Sequence, residues 1–190
     1  SGGALFIAQF AQQYRSCQVE LTEVLWNVAE PKKMFPKGIF EPPECGYEKI
    51  KSIVADNKGV STVPAAIGRC SSLEVLGLAD NAITNLPSEL LTHGRLQTAS
   101  VKNNPVAKRI NLSYMEFGTN PEFPPRFLCK FVPELEIVHA EGAGITRISK
   151  CIGKFLRLEV LRLAGNVIVE DGISSEILSL NDTLVDFDVT

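Results

Sequence analysis

The amino-acid sequence predicts an α/β fold in which short parallel strands and return segments stack, coil on coil, into a solenoid. A nine-residue pattern, L-x-x-L-x-L-x-x-N, occurs at residues 73–81 and again at 158–166, with seven of nine positions identical. Weaker copies recur at related spacings, as expected of a repeat protein. The composition, 45% hydrophobic and 22% charged over 190 residues, is that of a globular chain long enough to bury a core.

The copies begin at positions 50, 73, 96, 135, 158 and 184, so the steps between successive starts are 23, 23, 39, 23 and 26. The longest step, 39, exceeds the common step, 23, by 16. We expect the extra residues near 107–122, as a surface loop whose deletion leaves the fold intact. The repeat domain is therefore predicted to span residues 50–190, with about five and a half repeats.

The L-x-L core of each copy fits a β-strand, because alternate side chains of a strand point to the same face. That face is expected to point inward and to stack on the next repeat, since one repeat cannot bury its apolar face alone. An asparagine follows the strand in three copies, and its amide can bond buried backbone groups of neighbouring coils. These predicted structural residues are Asn81, Asn104 and Asn166.

Residues 50–190 resemble the intracellular leucine-rich repeat family, in particular its 23-residue class with the signature L-P-x-x-I. Leu86-Pro87-x-x-Leu90 is similar to that signature, whereas Lys58 and Ala143 stand where the family has asparagine. The resemblance implies a leucine-rich repeat solenoid with a concave parallel β-sheet, and protein binding as its usual role. It does not identify the partner.

Residues 1–49 precede the repeats and are predicted to form an N-terminal helical extension followed by a connector. Apolar residues recur there at steps of three and four, which is the pattern of one helix face. Pro31 would end the helix, and Pro36, Pro42 and Pro43 indicate an extended connector. The helix is expected either to cap the first coil or to dock on a partner. The apolar residues are Phe6, Phe10, Tyr14, Cys17, Leu21, Val24 and Val28.

The sequence carries no recognisable catalytic motif. It has no glycine-rich phosphate loop, paired-histidine metal motif or nucleophile elbow. The formal net charge of −3, without a long run of one sign, argues against nucleic acid or an anionic membrane as the partner. No apolar stretch approaches the roughly 20 residues of a spanning helix. We therefore expect no enzymatic activity, no cofactor, no metal site and no membrane span.

The five cysteines form no metal-binding spacing and are odd in number. We expect all of them to be free thiols that pack like other small apolar residues. Free thiols are typical of a reducing compartment, so the sequence favours an intracellular location.

The outward positions of the strands are the predicted partner-binding surface. They place a β-branched stripe, Val75, Ile137 and Val160, beside acidic residues. This arrangement suits a partner with apolar side chains flanked by Lys or Arg, although β-branched residues also simply favour strands. The other candidates on this surface are Glu74, Glu136, His139, Glu159 and Arg162.

Aromatic side chains in the predicted insertion are further candidates. Tyr114 and Phe117 are expected either to pack back onto the repeats or to remain exposed as interface anchors.

Residues 184–189 read as one more strand, which is predicted to pair in parallel with residues 158–163. We expect Phe187 to lie at an open end of the core that a partner subunit or further chain covers. The sequence thus predicts a protein–protein interaction module acting as a scaffold or structural subunit of a multi-subunit assembly. The alternative is a regulatory binding module of a signalling enzyme, in a phosphatase or small-GTPase pathway.

Overall fold

A computed structural model describes residues 18–20, 47–119 and 121–189 of the chain. The described strands are β1 (Gln18–Glu20), β2 (Ser52–Val54), β3 (Val75–Gly77), β4 (Thr98–Ser100), β5 (Arg109–Asn111), β6 (Glu122–Phe123), β7 (Ile137–His139), β8 (Arg147–Ile148), β9 (Val160–Arg162) and β10 (Asp186–Asp188). The α-helices are α1 (Ser88–Leu91) and α2 (Arg126–Phe131). The 3₁₀-helices span Tyr47–Lys49, Ala65–Arg69, Pro105–Ala107, Lys150–Lys154, Glu170–Gly172 and Ser175–Leu180.

The chain divides into two compact units. The first comprises the described residues up to Ile83 together with His93–Asn104, and the second comprises Thr84–Thr92 and the described residues from Pro105 onward. The first unit holds a four-stranded parallel sheet in the order β1-β2-β3-β4. The second holds a four-stranded parallel sheet in the order β10-β9-β7-β5 and a two-stranded sheet of β6 and β8.

Strand pairing follows the repeat. In the first unit Ile53 is opposite Leu76, and Leu76 is opposite Ala99, so each partner lies one common repeat step further along the chain. In the second unit Val138 is opposite Leu161 at the same step, and Leu161 is opposite Phe187. The inward side chains of β2, β3, β7 and β9 are buried, as the L-x-L pattern predicts. This register confirms the predicted coil-on-coil stacking and the parallel pairing of the last strand.

A residue with positive φ closes the turn after each of the strands β2, β3, β4, β5, β7 and β9. In the first unit these residues are Asn57, Asp80 and Asn103, with φ between 53° and 58°. Asparagine and aspartate adopt this left-handed conformation more readily than other non-glycine residues. Glycine does so at lower cost still, and the second unit uses Gly142 and Gly165 in two coils.

The asparagine after the turn bonds the preceding coil. Asn104 is only 5% exposed; its amide nitrogen donates to the Leu78 carbonyl at 2.8 Å, and its oxygen accepts from the Ile83 N–H at 2.9 Å. Asn166 makes the same pair of bonds, to the Ala140 carbonyl at 2.8 Å and from the Ile145 N–H at 2.9 Å. The turns after β3 and β7 are thus each held by an asparagine side chain from the coil that follows.

Extended residues open the return segments. Pro64, Pro87 and Pro125 precede the helical turns with ψ near 150°, which suits a ring that fixes φ and lacks an N–H to satisfy. Ser149 takes the same extended conformation where proline is missing. The departure from the repeat signature at Ser149 therefore leaves the backbone path unchanged.

The predicted insertion contains a strand of the sheet. Residues near 107–122 were expected to form a loop, but β5 lies within them and pairs with β7, with Ile110 opposite Val138. Ile110 and Leu112 are buried. The segment between β4 and β5 is also irregular, since it is much shorter than the segment between β3 and β4. The prediction of a dispensable surface loop is wrong at β5, because two inward apolar side chains belong to the core.

The predicted N-terminal helix is wrong at Gln18–Glu20, which form β1 and pair in parallel with β2. In the sequence, so short an apolar stretch fits a period of two as well as a helical period. Pairing with an open strand edge satisfies backbone groups that a helix would have to satisfy within itself. The remainder of that prediction lies outside the described residues.

Cys129 and Cys151 form a disulfide, with their Cα atoms 5.8 Å apart. The prediction of free thiols is therefore wrong for this pair. Cys129 belongs to α2 and Cys151 to the helical turn of the next coil, so stacking of coils brings residues 22 positions apart into contact.

Cys70 is a free, buried thiol, and burial raises its pKa to about 11. The inference of an intracellular location rested on five free thiols and no longer follows.

Candidate functional site

The outward side chains of the first unit form a row with one exposed apolar residue at its centre. Val75 is 37% exposed and lies between Ser52 and Thr98 of the neighbouring strands. Glu74 precedes it and is half-buried. Glycine at position 77 leaves room for the Asp56 carboxylate, which accepts a hydrogen bond from the Ala79 N–H at 2.7 Å.

The second unit brings two residues of the β-branched stripe together. Ile137 and Val160 are opposite each other on β7 and β9, and both are half-buried. Arg109 and Asp186 continue the same row on β5 and β10. The stripe is therefore divided, with Val75 in one unit and the adjacent pair in the other.

Charged side chains flank this pair in an ordered way. Lys108 Nζ lies 2.7 Å from Glu136 Oε1, and this hydrogen bond holds the pKa of Glu136 below its ordinary value. Glu159 occupies the equivalent position one coil further on and is exposed. The acidic side of the row therefore has one carboxylate paired within the chain, and one that faces outward.

A second set of polar contacts lies at the C-terminal ends of β7 and β9. Arg162 donates to Asp186 through Nε at 3.1 Å and Nη2 at 2.8 Å, and this contact raises the pKa of Arg162. His139 Nδ1 is 3.6 Å from Glu141 Oε1. Partial burial opposes ionisation of Glu141. The hydrogen bonds from the Ser113 hydroxyl and from a backbone N–H, together with the charges of His139 and Arg162, outweigh that burial, so the pKa of Glu141 lies below its ordinary value.

Sequence reasoning missed the residues of β5 on this face. Arg109 and Asn111 point outward beside Ile137 and His139. The alternation of Ile110 and Leu112 was the signal that could have found them. It was obscured because no leucine opens that copy of the repeat and Met115 stands where asparagine was expected.

The two aromatic candidates have different environments. Tyr114 is 81% exposed and has a φ of 62°, whereas Phe117 is half-buried. Both line a cleft of about 490 Å³ together with Met115, Glu116, Gly118, Gly142, Ala143 and Gly144. Phe117 fills an inward position shortly after the turn, as Ile145 does in the next coil.

The C-terminal end of the second unit exposes apolar side chains whose counterparts in the preceding coils are buried. Phe187 is 44% exposed, although Leu161, opposite it on β9, is fully buried. Ile173 is 44% exposed and bridges to Ile148, which is 3% exposed. Val185 is 85% exposed and lines a shallow cleft of about 380 Å³ with Leu156, Arg157, Thr183 and three carboxylates, Glu136, Glu159 and Asp182.

No group of three or more His, Cys, Asp or Glu side chains suited to a metal ion occurs in the described part of the chain. Over the same residues, no helix has the length and apolar character needed to cross a membrane.

Comparison with known proteins gives matches to solved structures only. No protein-family model matches the sequence, and no curated protein matches it. A leucine-rich repeat protein of Leptospira interrogans is 18% identical with a TM-score of 0.38, covering 91% of this chain and 48% of that one. The leucine-rich repeat domain of the type III effector XopL is 18% identical with a TM-score of 0.33, covering 74% and 53%. Internalin C2 from Listeria monocytogenes is 22% identical with a TM-score of 0.36, covering 91% and 66%.

The chain thus spans between about half and two thirds of the length of these structures. The fold is established by the geometry of the chain itself. Strands pair one repeat step apart, a left-handed residue closes each turn, and an asparagine of one coil bonds the backbone of the coil before it. These features are those of a leucine-rich repeat fold.

Proposed function

We propose that this chain is a protein–protein interaction module that acts as a scaffold or structural subunit of a larger assembly. The observation that carries the proposal is the open end of the core in the last coil. Phe187 and Ile173 occupy inward positions yet are each 44% exposed, and Val189 is exposed to the same extent. Side chains of this size are stabilised by roughly 1.5–3 kcal/mol each when fully buried, so a bound protein surface, or further residues of a longer chain, would gain from covering them.

The charge around this end indicates the chemistry of the partner. Residues 163–190 contain six carboxylates and no lysine or arginine. Arg162 pairs with Asp186 and Arg157 lies beside Val185, but the other carboxylates of this segment outnumber these cations. An apolar surface with an excess of negative charge favours a partner that presents apolar side chains with lysine or arginine beside them. The acidic residues are Glu170, Asp171, Glu176, Asp182, Asp186 and Asp188.

The strand face of the second unit offers a continuous extension of the same surface. Val160 is on the strand next to β10, and the exposed Glu159 carboxylate lies beside it. A partner that covers the open end can therefore extend over the Ile137–Val160 pair as well. The charge beside that pair, at Glu159, is negative like the carboxylates at the open end.

The test is a pair of matched charge variants. Phe187→Lys combined with Val189→Lys places two positive charges on the open end, whereas Val167→Lys combined with Val169→Lys places the same charges on exposed turn residues. We expect the wild-type chain to elute in a native complex, identified by cross-linking and mass spectrometry and then rebuilt from purified components. The first variant should lose the complex and the second should keep it.

Light scattering provides the second measurement. The isolated wild-type chain should self-associate through its uncovered end, and the Phe187→Lys, Val189→Lys variant should be monomeric. A wild-type chain that stays monomeric at high concentration and forms no complex would contradict the proposal. Fast, reversible binding to one soluble enzyme, rather than a complex that survives purification, would favour a regulatory module instead of a scaffold.

A further inference from the structure

Tyr114 occupies a backbone position that an aromatic residue rarely takes. Its φ of 62° lies in the left-handed region, where a bulky side chain is strained. The turns after β2, β3, β4, β7 and β9 have a small polar residue or glycine at this place: Asn57, Asp80, Asn103, Gly142 and Gly165. An aromatic ring at a strained turn position indicates a role other than closing the turn.

The neighbouring coil holds the ring in place. A Cβ atom at Gly142 would lie 2.8 Å from Cδ1 and Cε1 of Tyr114, so the ring rests against the glycine backbone. The Tyr114 N–H donates to the Glu141 carbonyl at 2.8 Å, and the preceding Ser113 hydroxyl bonds the Glu141 carboxylate. Because the residue is nevertheless 81% exposed, most of the ring remains open to a partner. Tyr114 is therefore a positioned, exposed aromatic surface.

The surroundings of the ring are acidic. The cleft of about 490 Å³ beside Tyr114 is lined by eight described residues, among which Glu116 is the only charged one. Glu116 is exposed, and no ion pair to it is found within the described ranges. A cation is attracted both by the face of a tyrosine ring and by a carboxylate next to it.

The geometry points to a binding site for an arginine or lysine side chain of a protein partner, formed by the ring of Tyr114 and the carboxylate of Glu116. The inference rests on the proposed function and adds the chemistry of one contact in it. The cationic head group lies over the open part of the ring and beside Glu116, while its aliphatic stem follows the half-buried Phe117. The cleft would not provide comparable stabilisation for a neutral side chain.

The test uses a blocked Leu-Arg-Leu tripeptide and the same peptide with citrulline, the neutral isostere of arginine. Binding is followed by NMR through the Gly142 amide, the Tyr114 ring and the arginine side-chain protons, which shift upfield above an aromatic ring. We expect saturable binding of the arginine peptide that weakens with salt, and about tenfold weaker binding of the citrulline peptide.

Three variants, compared with the wild type, separate the ring from the fold. Tyr114→Phe keeps the ring and should bind within about twofold of wild type, because the face of the ring carries the attraction. Tyr114→Asn restores a residue type found at two other turns, so it should fold at least as stably, yet bind about fivefold more weakly. Glu116→Gln should weaken binding and reduce its dependence on salt.

Equal binding of the citrulline peptide, unchanged binding by Tyr114→Asn, or no binding to wild type would overturn the inference. These results are separable from the proposed function. A native complex that forms although the wild-type chain binds no arginine peptide would reject this site alone. Arginine binding that depends on Tyr114, in a chain that forms no protein complex, would retain the site and reject the scaffold role.

Discussion

Replacing Asn81 with alanine should destabilise the first unit by roughly 1–3 kcal/mol, through backbone groups that lose their partners. The Asn81 amide nitrogen donates to the carbonyls of Ala55 at 2.7 Å and Leu78 at 2.9 Å. Its oxygen accepts from the N–H groups of Lys58 and Val60, each at 3.0 Å. Each unsatisfied buried group costs roughly 1–3 kcal/mol, but these contacts are part-buried. Water can reach some of them, so the loss should be far below the sum of four such costs.

Urea unfolding followed by circular dichroism measures the effect, with Asn85→Ala as the matched control. Asn85 is exposed and bonds only to the N–H of the next residue, so its replacement should change the unfolding free energy by less than about 0.5 kcal/mol. Asn104→Ala should fall at the upper end of the range, since Asn104 is 5% exposed. Asn81→Asp should also destabilise, because a carboxylate oxygen would replace the donor that faces Ala55. An Asn81→Ala protein as stable as the Asn85→Ala control would refute the reasoning.

Three further outcomes are expected. Changing the whole β-branched stripe to aspartate should weaken partner binding by about 2 kcal/mol or more, if its residues lie at the centre of the interface; unchanged affinity in a folded variant would reject that surface. Deleting residues 107–120 should abolish cooperative urea unfolding of the second unit, because it removes β5 and two buried side chains; a cooperative transition of normal midpoint would show that β5 is dispensable. Cys129→Ala should lower the unfolding free energy by about 3 kcal/mol for a disulfide that closes a loop of 22 residues; an unfolding midpoint equal to that of the wild-type protein would show that the bond adds no stability.

The sequence predicts the coils well wherever the leucines are present. At Leu73 and Leu158 the pattern places the strand, the inward face and the turn correctly, because period-two alternation and a following asparagine leave few other folds. The same regularity predicts the pairing of the last strand. The sequence predicts the coils better than it predicts what binds on the outward face, since the outward side chains do not contribute to the core.

The two failures have different causes. β5 was missed because its copy of the repeat lacks the opening leucine and the asparagine, although Ile110 and Leu112 alternate as in the other strands. The Cys129–Cys151 bond depends on which residues lie next to each other after stacking, which a pattern within one coil does not show. The cysteine spacing did carry a signal, because a separation of 22 is nearly one repeat and stacked coils bring such positions together. The unusual turn at Tyr114 could not be foreseen, because tyrosine is not a residue that predicts a left-handed turn.

The asparagine contacts give the repeat a direction. Asn81 bonds the turn of the preceding coil, Asn104 bonds the turn at Leu78 and Ile83, and Asn166 bonds the turn at Ala140 and Ile145. These three coils therefore acquire their full set of backbone hydrogen bonds only when the coil after them is in place. During synthesis, which proceeds from the N-terminus, each of the three must wait for its successor before its turn is closed, whereas coils followed by Met115 or Ala143 at this position lack the contact. Truncation depends on direction in the same way. Ending the chain after such a coil removes the asparagine that bonds its turn, whereas removing the coils before it leaves that asparagine in place.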